Sequence, residues 1–228
     1  YAHRHDLVVR LDVRPGDLTV VGTPIATVWA RDPSAGKLDP YADGAAAAVT
    51  DALMIGYERS MEQDVAFGFR QLEDIAVRAM SPAINDPATA CTAVGHLADL
   101  LVKLAGRRLG PAVHPDADGV ERVIVPDRDL RYYLDLACGQ LRRSAAAEPT
   151  VLVALLRMLR DLATAVRDDE RYAAEVRRGA DRVRDALAGT VSSADAEQVH
   201  DLHRRVLQAL DGHTVRAYLD RSGETRSF

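Results

Sequence analysis

The sequence predicts an α+β fold, mostly α: a small β-module of barrel-sandwich outline, followed by a helical bundle of about six helices. Three observations predict it. Residues 6–30 alternate short β-branched runs with Pro- and Gly-bearing turns. From Asp64 to Leu210 apolar residues recur three and four apart, the spacing of one helix face. A chain of 228 residues, 47% hydrophobic and 28% charged, can bury one or two cores without disulfide or metal staples.

The elements follow in order. Leu7–Val13 is a first strand, and Arg14-Pro15-Gly16-Asp17 turns it, Pro presetting φ and Gly supplying a positive one. Leu18–Val21 is a second strand, Gly22-Thr23-Pro24 a second turn and Ile25–Trp29 a third strand. The rhythm matches one half of a biotinyl or lipoyl carrier module, but no lysine stands at a turn, so it implies a shape and not a swinging arm. Residues 31–44, with Pro33, Gly36, Pro40 and Gly44, read as a linker. Asp43 caps a short helix over Ala45–Ala52, and Leu53–Tyr57 is a strand that rejoins the sheet.

The helical part begins at Asp64, with Val65, Phe69, Leu72, Ala76 and Met80 on one face and Ser81-Pro82 ending the helix. Asp86 and Pro87 open the next, with Val94, Leu97, Ala98, Leu101 and Ala105 on one face. Residues 111–119 read as a loop and Val120–Val125 as a lone strand. Four helices follow: one capped by Asp127 or Asp129, one starting at Pro149, one burying Val176, Ala180 and Val183, and one opened by Ser192 with Asp195 three residues on. This divides the chain into a β-module with linker and short helix at 1–60, a bundle at 61–212, and a polar, frayed tail at 213–228.

Composition removes several function classes. The net charge of −5 and pI near 5.8 argue against nucleic acid as a partner, because a phosphate backbone demands a basic face. The longest apolar runs, Ala45–Val49 and Val151–Leu156, fall far short of the ~20 residues of a membrane helix. Cys91 and Cys138, the only cysteines, sit in apolar helical patterns and read as two buried reduced thiols. There is no Gly-rich phosphate loop, Gly-x-Ser-x-Gly, His-Glu-x-x-His or Cys-x-x-Cys, and no cofactor is expected.

The densest chemistry lies between Glu62 and Pro87. Arg70, Asp74 and Arg78 are four apart and share one helix face with Phe67 and Gln71. That face is either a solvated salt-bridge ladder or the buried lining of a cleft that binds an anion or a partner. The expectation favours the lining, with Asn85 and Asp86 folded back over it. Asp86 also suits the N-cap of the following helix. A rival reading gives Asp64, Asn85 and Asp86, with Glu62 nearby, to a hard cation as oxygen ligands of a metal-assisted enzyme. Glu197-x-x-His200 has di-iron spacing but no second copy, and His203 lies at helical spacing from His200, so both histidines read as surface or half-buried groups. His3 and His5 read as possible strand neighbours.

The run from Glu62-Gln63-Asp64-Val65-Ala66-Phe67 to Met80-Ser81-Pro82-Ala83-Ile84-Asn85-Asp86-Pro87 resembles the signature of a bacterial family of predicted membrane proteins, domain of unknown function 2254. The Arg-Pro-Gly-Asp and Gly-Thr-Pro turns and the helix Pro149–Val166 fit the same family, although Ala83 stands where it usually carries Gly. The resemblance implies a soluble, cytoplasmic-side region of an integral membrane protein of the cell membrane, with transmembrane helices ahead of it, and Tyr1 in place of an initiator Met agrees. The resulting expectation is a non-catalytic assembly or ligand-sensing module rather than an enzyme. Its ligand residues would be Arg70, Gln71, Asp74, Arg78, Asn85 and Asp86, and its partners a second copy and its own membrane part.

Overall fold

The computed structural model describes residues 1–32, 34 and 44–219. Asp43, most of the 31–44 linker and the tail beyond Leu219 lie outside the described residues. The chain separates into two compact units: Tyr1–Phe67 with Gly110–Arg128, and Gly68–Leu109 with Asp129–Phe228.

The first unit is built on a four-stranded mixed sheet. Strand β1 (Leu7–Leu11) pairs antiparallel with β2 (Ala26–Ala30), Leu7 opposite Ala30. Helix α1 (Ala45–Ala52) follows a Gly44 N-cap at φ 72° and has no side-chain cap. Strand β3 (Ala112–Pro115) pairs antiparallel with β4 (Glu121–Val125), and β4 runs parallel to β1, giving the order β2-β1-β4-β3. Leu7 and Val9 bury the same side of β1, as a two-residue period requires.

Three strand expectations change here. Leu18–Val21 forms no strand, and Leu18 and Val21 are fully exposed. With β2 on one side of β1 and β4 on the other, β1 has no free edge left to take it. Leu53–Tyr57 forms no strand either. The expected loop 111–119 holds β3 and its turn, in which Asp116 accepts from the amides of Asp118 and Val120 and Gly119 adopts φ 78°. The strand expected at Val120–Val125 is β4, in the interior of the sheet rather than alone.

Helix α2 (Val65–Ala79) crosses the unit boundary between Phe67 and Gly68. The second unit continues with α3 (Pro87–Ala105), α4 (Leu130–Cys138), α5 (Leu141–Ser144), α6 (Pro149–Val166), α7 (Glu170–Arg184), α8 (Ser193–Leu210) and α9 (Thr214–Tyr218). The six longer helices are those the periodicity predicts. Four of them are capped by a side chain: Asp86 accepts from Thr89 N, Asp129 from Tyr132 N, Asp169 from Arg171 N and Tyr172 N, and Ser192 from Asp195 N.

Helix α6 is apolar nearly all round, burying Val151 through Leu156 and on to Val166. It packs against α3, α7 and α8. Helix α3 is the one helix among the described residues long and apolar enough to cross a membrane. Here Ala90, Val94, Leu97 and Leu101 are buried, while its outer side carries the exposed Asp99–Lys103 ion pair. Residues 214–218 are not frayed. Tyr218 donates to Asp161 (2.6 Å) and its ring lies under the Arg160 guanidinium at 4.3 Å, which fastens α9 to α6.

Cys91 and Cys138 are buried and unpaired with each other, and burial pushes the Cys138 thiol up to about 12. Neither thiol is expected to react with a thiol reagent in the native chain, and both should react after denaturation. Rapid native labelling of Cys138 would contradict its burial.

Candidate functional site

In the first unit the chemistry converges on Asp64, whose side chain is 3% exposed. Arg59 chelates one carboxylate oxygen through Nε (3.0 Å) and its terminal nitrogen. Arg128, 6% exposed, reaches the other oxygen at 3.5 Å, and that oxygen also accepts from Phe67 N (3.2 Å) at the start of α2. Arg128 in turn holds the Arg14–Asp17 turn, donating to Pro15 O (3.4 Å) and Asp17 (3.3 Å). Gly16 sits at φ 79°, and a Cβ there would fall on the Asp64 carboxylate, so only glycine suits both the conformation and the approach. The Arg59 guanidinium lies 5.0 Å from the Phe67 ring centroid. These groups form a closed ion-pair network, and Asp64's oxygens are committed to arginines and an amide.

A second network ties strand ends together. Arg122, 9% exposed, bonds Asp6 (2.7 Å), Leu7 O (3.3 Å) and Asp116 (2.9 Å), and His3 meets Asp116 at 2.9 Å. His3, Asp116 and Asp118 bring three ligating atoms within 4.8 Å. Asp116's oxygens already serve Arg122, His3 and two amides, so the group has its partners within the chain. The Arg122 hydrogen bond, then that of His3, holds the Asp116 carboxyl well below the usual carboxylate range. A depressed folded-state pKa contributes stability that is complete above the unfolded value and lost as pH falls below it. Asp116→Asn should therefore lower Tm at neutral pH, with the gap to the native chain closing below about pH 4. A gap that persists in acid would contradict the assignment.

The second unit holds a cleft of about 410 Å³. Helix α2 supplies Arg70 and Glu73, α4 supplies Tyr132 and Asp135, the α4–α5 connection Gly139 and Gln140, α5 Arg142 and Arg143, and α7 Arg182. The single turn of α5, set between two short connections, is what places adjacent arginines on the rim. Glu73 is 3% exposed, its Oε2 has no hydrogen-bond partner among the described residues, and its ion partner Arg70 stands 4.0 Å away. Burial pushes the Glu73 carboxyl up; Arg70 and, less strongly, Arg143 oppose this, and the nearby Asp74 adds to it. Asp135 is paired with Arg182 at 3.0 Å. Among the described residues Arg142 and Arg143 make no side-chain hydrogen bond or ion pair. Four arginines thus face two carboxylates in a chain whose net charge is −5.

The six sequence-predicted ligand residues fall in this unit, while Asp64 and Glu62 of the rival metal reading belong to the first, and the structure gives the six different places. Arg70 lines the cleft. Gln71 and Arg78 are exposed and Asp74 is half-buried. The expected Arg70–Asp74 contact is not formed, since Arg70 turns to Glu73 one residue earlier. Asp86 is the α3 N-cap, bonding Thr89 N (3.1 Å) and Thr89 Oγ1 (2.5 Å), and Asn85 is exposed at φ 47°. Sequence reasoning missed Glu73. The buried positions of α2 are Ala66, Phe69, Glu73, Ala76 and Ala79, three and four apart, and a carboxylate in that stripe is the signal the sequence offers. Elsewhere, Glu197 and His200 are exposed, while His203 is buried against Asp181 at 2.7 Å. His3 and His5 lie in turns and not in a strand.

Asp74→Ala should shift stability by less than about 1 kcal/mol, because the carboxylate has no buried ion partner to strand. A loss several times larger in a denaturant titration would mean Asp74 is paired after all. Glu73→Gln should instead stabilise the chain above the carboxylate range. A raised folded-state pKa favours the native state below the unfolded pKa and disfavours it as pH rises through the folded one. Removing the charge should raise Tm at pH 8 and leave it little changed below the carboxylate range. A Tm at pH 8 that falls in Glu73→Gln would contradict this.

Fold and site together define an α+β chain with a closed arginine–aspartate network in its sheet unit and an arginine-rich cleft in its helical unit. The chain belongs to the family of predicted membrane proteins known as DUF2254, whose model matches residues 1–161. It is 38% identical over 159 residues to the uncharacterized proteins Mb1321c of Mycobacterium bovis and Rv1290c of Mycobacterium tuberculosis. The match covers 70% of this chain but 30% of each relative, so the chain spans under a third of their length. No solved structure matches it.

Proposed function

We propose that this chain is an extramembrane, non-catalytic ligand-sensing module of a membrane protein, and that its ligand is an anion taken into the arginine-lined cleft of the helical unit. The observation that carries the reading is Glu73: among the described residues its buried Oε2 has no hydrogen-bond partner, and of the arginines around it Arg142 and Arg143 make no side-chain hydrogen bond or ion pair. A structural ladder would pair these groups with one another. A binding site leaves them for the ligand at some cost in stability. The closed pairing of Asp64 and the capping role of Asp86 weigh against the metal-assisted alternative.

The membrane family supports attachment to the cell membrane. Two free thiols agree with placement on the reducing, cytoplasmic side. Self-association belongs to the same proposal: the sheet ends in β2 and β3, and Leu18, Val21, Met54 and Tyr57 are exposed. Sedimentation of the chain should show a dimer or larger species. A monomer at all concentrations would remove assembly from the reading.

Thermal unfolding tests the ligand site. A panel of small oxyanions at matched ionic strength should include members that raise Tm in the native chain and leave the Arg142→Gln, Arg143→Gln double variant unmoved. The reading fails if no member exceeds chloride.

A further inference from the structure

The sensing proposal leaves the class of anion open, and Glu73 narrows it. Arg70, Arg142, Arg143 and Arg182 supply planar, fixed-charge donors that suit carboxylate, sulfate and phosphate alike. A carboxylate in their midst does not suit all three. An oxyanion without a proton presents only acceptors to Glu73, and two acceptors repel. An oxyanion that carries a hydroxyl donates to Oε2 and satisfies the oxygen that has no hydrogen bond among the described residues.

Resting on the ligand-sensing reading, we propose that the cleft binds a phosphate monoester or inorganic phosphate, with the arginines on its oxygens and its single proton shared with Glu73 Oε2. Inorganic phosphate keeps a proton at neutral pH, and a monoester has its second pKa near 6. Sulfate keeps none. Inorganic phosphate brings that proton with it, whereas sulfate binds only when Glu73 takes one up from solvent, at a cost that grows with pH and that burial of Glu73 lessens without removing. The other groups bearing on Glu73 are Asp74 on its own helix and Tyr132 and Asp135 on α4. Asp135 is occupied by Arg182 at 3.0 Å, which leaves Glu73 as the lining carboxylate with an oxygen lacking a hydrogen bond among the described residues. The volume of about 410 Å³ exceeds what one phosphate fills, so there is room for the organic part of an ester beside Tyr132 and Gly139.

Titration calorimetry on the whole chain tests this with inorganic phosphate and sulfate at pH 7.5 and matched ionic strength. Phosphate should bind at least about tenfold more tightly than sulfate, because a site that hydrogen-bonds a hydroxyl rejects the analogue that lacks it. In Glu73→Gln the preference should fall to near unity, and Arg142→Gln should weaken both anions while keeping the ratio. Circular dichroism confirms that each variant is folded, and the rim variant keeps the test valid if Glu73→Gln is not. Binding of glycerol phosphate should take up a proton, seen as heat that varies with the buffer. Glycerol phosphate competing with inorganic phosphate assigns a soluble ester. Competition from phosphatidylcholine vesicles only when they contain phosphatidic acid assigns a lipid headgroup. Equal affinity for phosphate and sulfate overturns the phosphate assignment and leaves an anion site standing. Absence of binding by either overturns the anion site itself.

Discussion

Asp64→Ala is expected to cost about 3–5 kcal/mol, the scale of a buried ion pair that loses one partner. The magnitude follows from Arg128. Its guanidinium is almost fully buried, and without Asp64 it keeps Asp17 at 3.3 Å and weak bonds to Pro15 O. Phe67 N at the start of α2 loses its acceptor as well. Asp64→Asn should recover part of the loss, because the amide oxygen still accepts from Phe67 N while the charge is gone. Urea unfolding with m unchanged measures both variants. A cost below about 1 kcal/mol for Asp64→Ala would place the network on a par with exposed pairs.

Phe69→Ala is expected to cost a similar 3–5 kcal/mol. Phe69 is 0% exposed, and its ring centroid lies 5.0 Å from that of Tyr133 on α4. Tyr133 meets Tyr132 edge-on at 5.6 Å, and Tyr132 lines the cleft. The substitution therefore removes core area and the support for one cleft wall. Phe69→Leu should lose less stability while still loosening Tyr132. Anion binding that survives Phe69→Leu unchanged would show that the wall does not depend on this stack.

Much of the helical unit was legible because its period and its punctuation agree. Asp86-Pro87, Asp129, Pro149 and Ser192 mark helix starts that the structure reproduces, and Leu152, Leu155, Leu159 and Leu162 are all buried as the spacing requires. The sheet was less legible. Leu18–Val21 has strand composition, but strand formation is decided by which edge is free, and β4 from the distant Glu121–Val125 takes the place beside β1. Long-range pairing of this kind leaves no local mark.

The site was half legible. Arg70 was found because guanidinium spacing on a helix is visible in sequence. Glu73 was passed over because Leu72 fits a 3.6-residue stripe as well as Glu73 does, and composition favours the leucine. The Arg142–Arg143 pair reads as a solvated run until α5 turns it toward the cleft. Asp64 was seen as chemistry and proved to be a structural anchor, since its arginine partners lie five and sixty-four residues away.

The most direct test of the account follows the Glu73 carboxyl carbon by NMR across pH, with and without inorganic phosphate. The midpoint is expected above the ordinary glutamate value in the free chain, and the resonance is expected to move when phosphate is added. A midpoint at the ordinary value with no response to phosphate would contradict it.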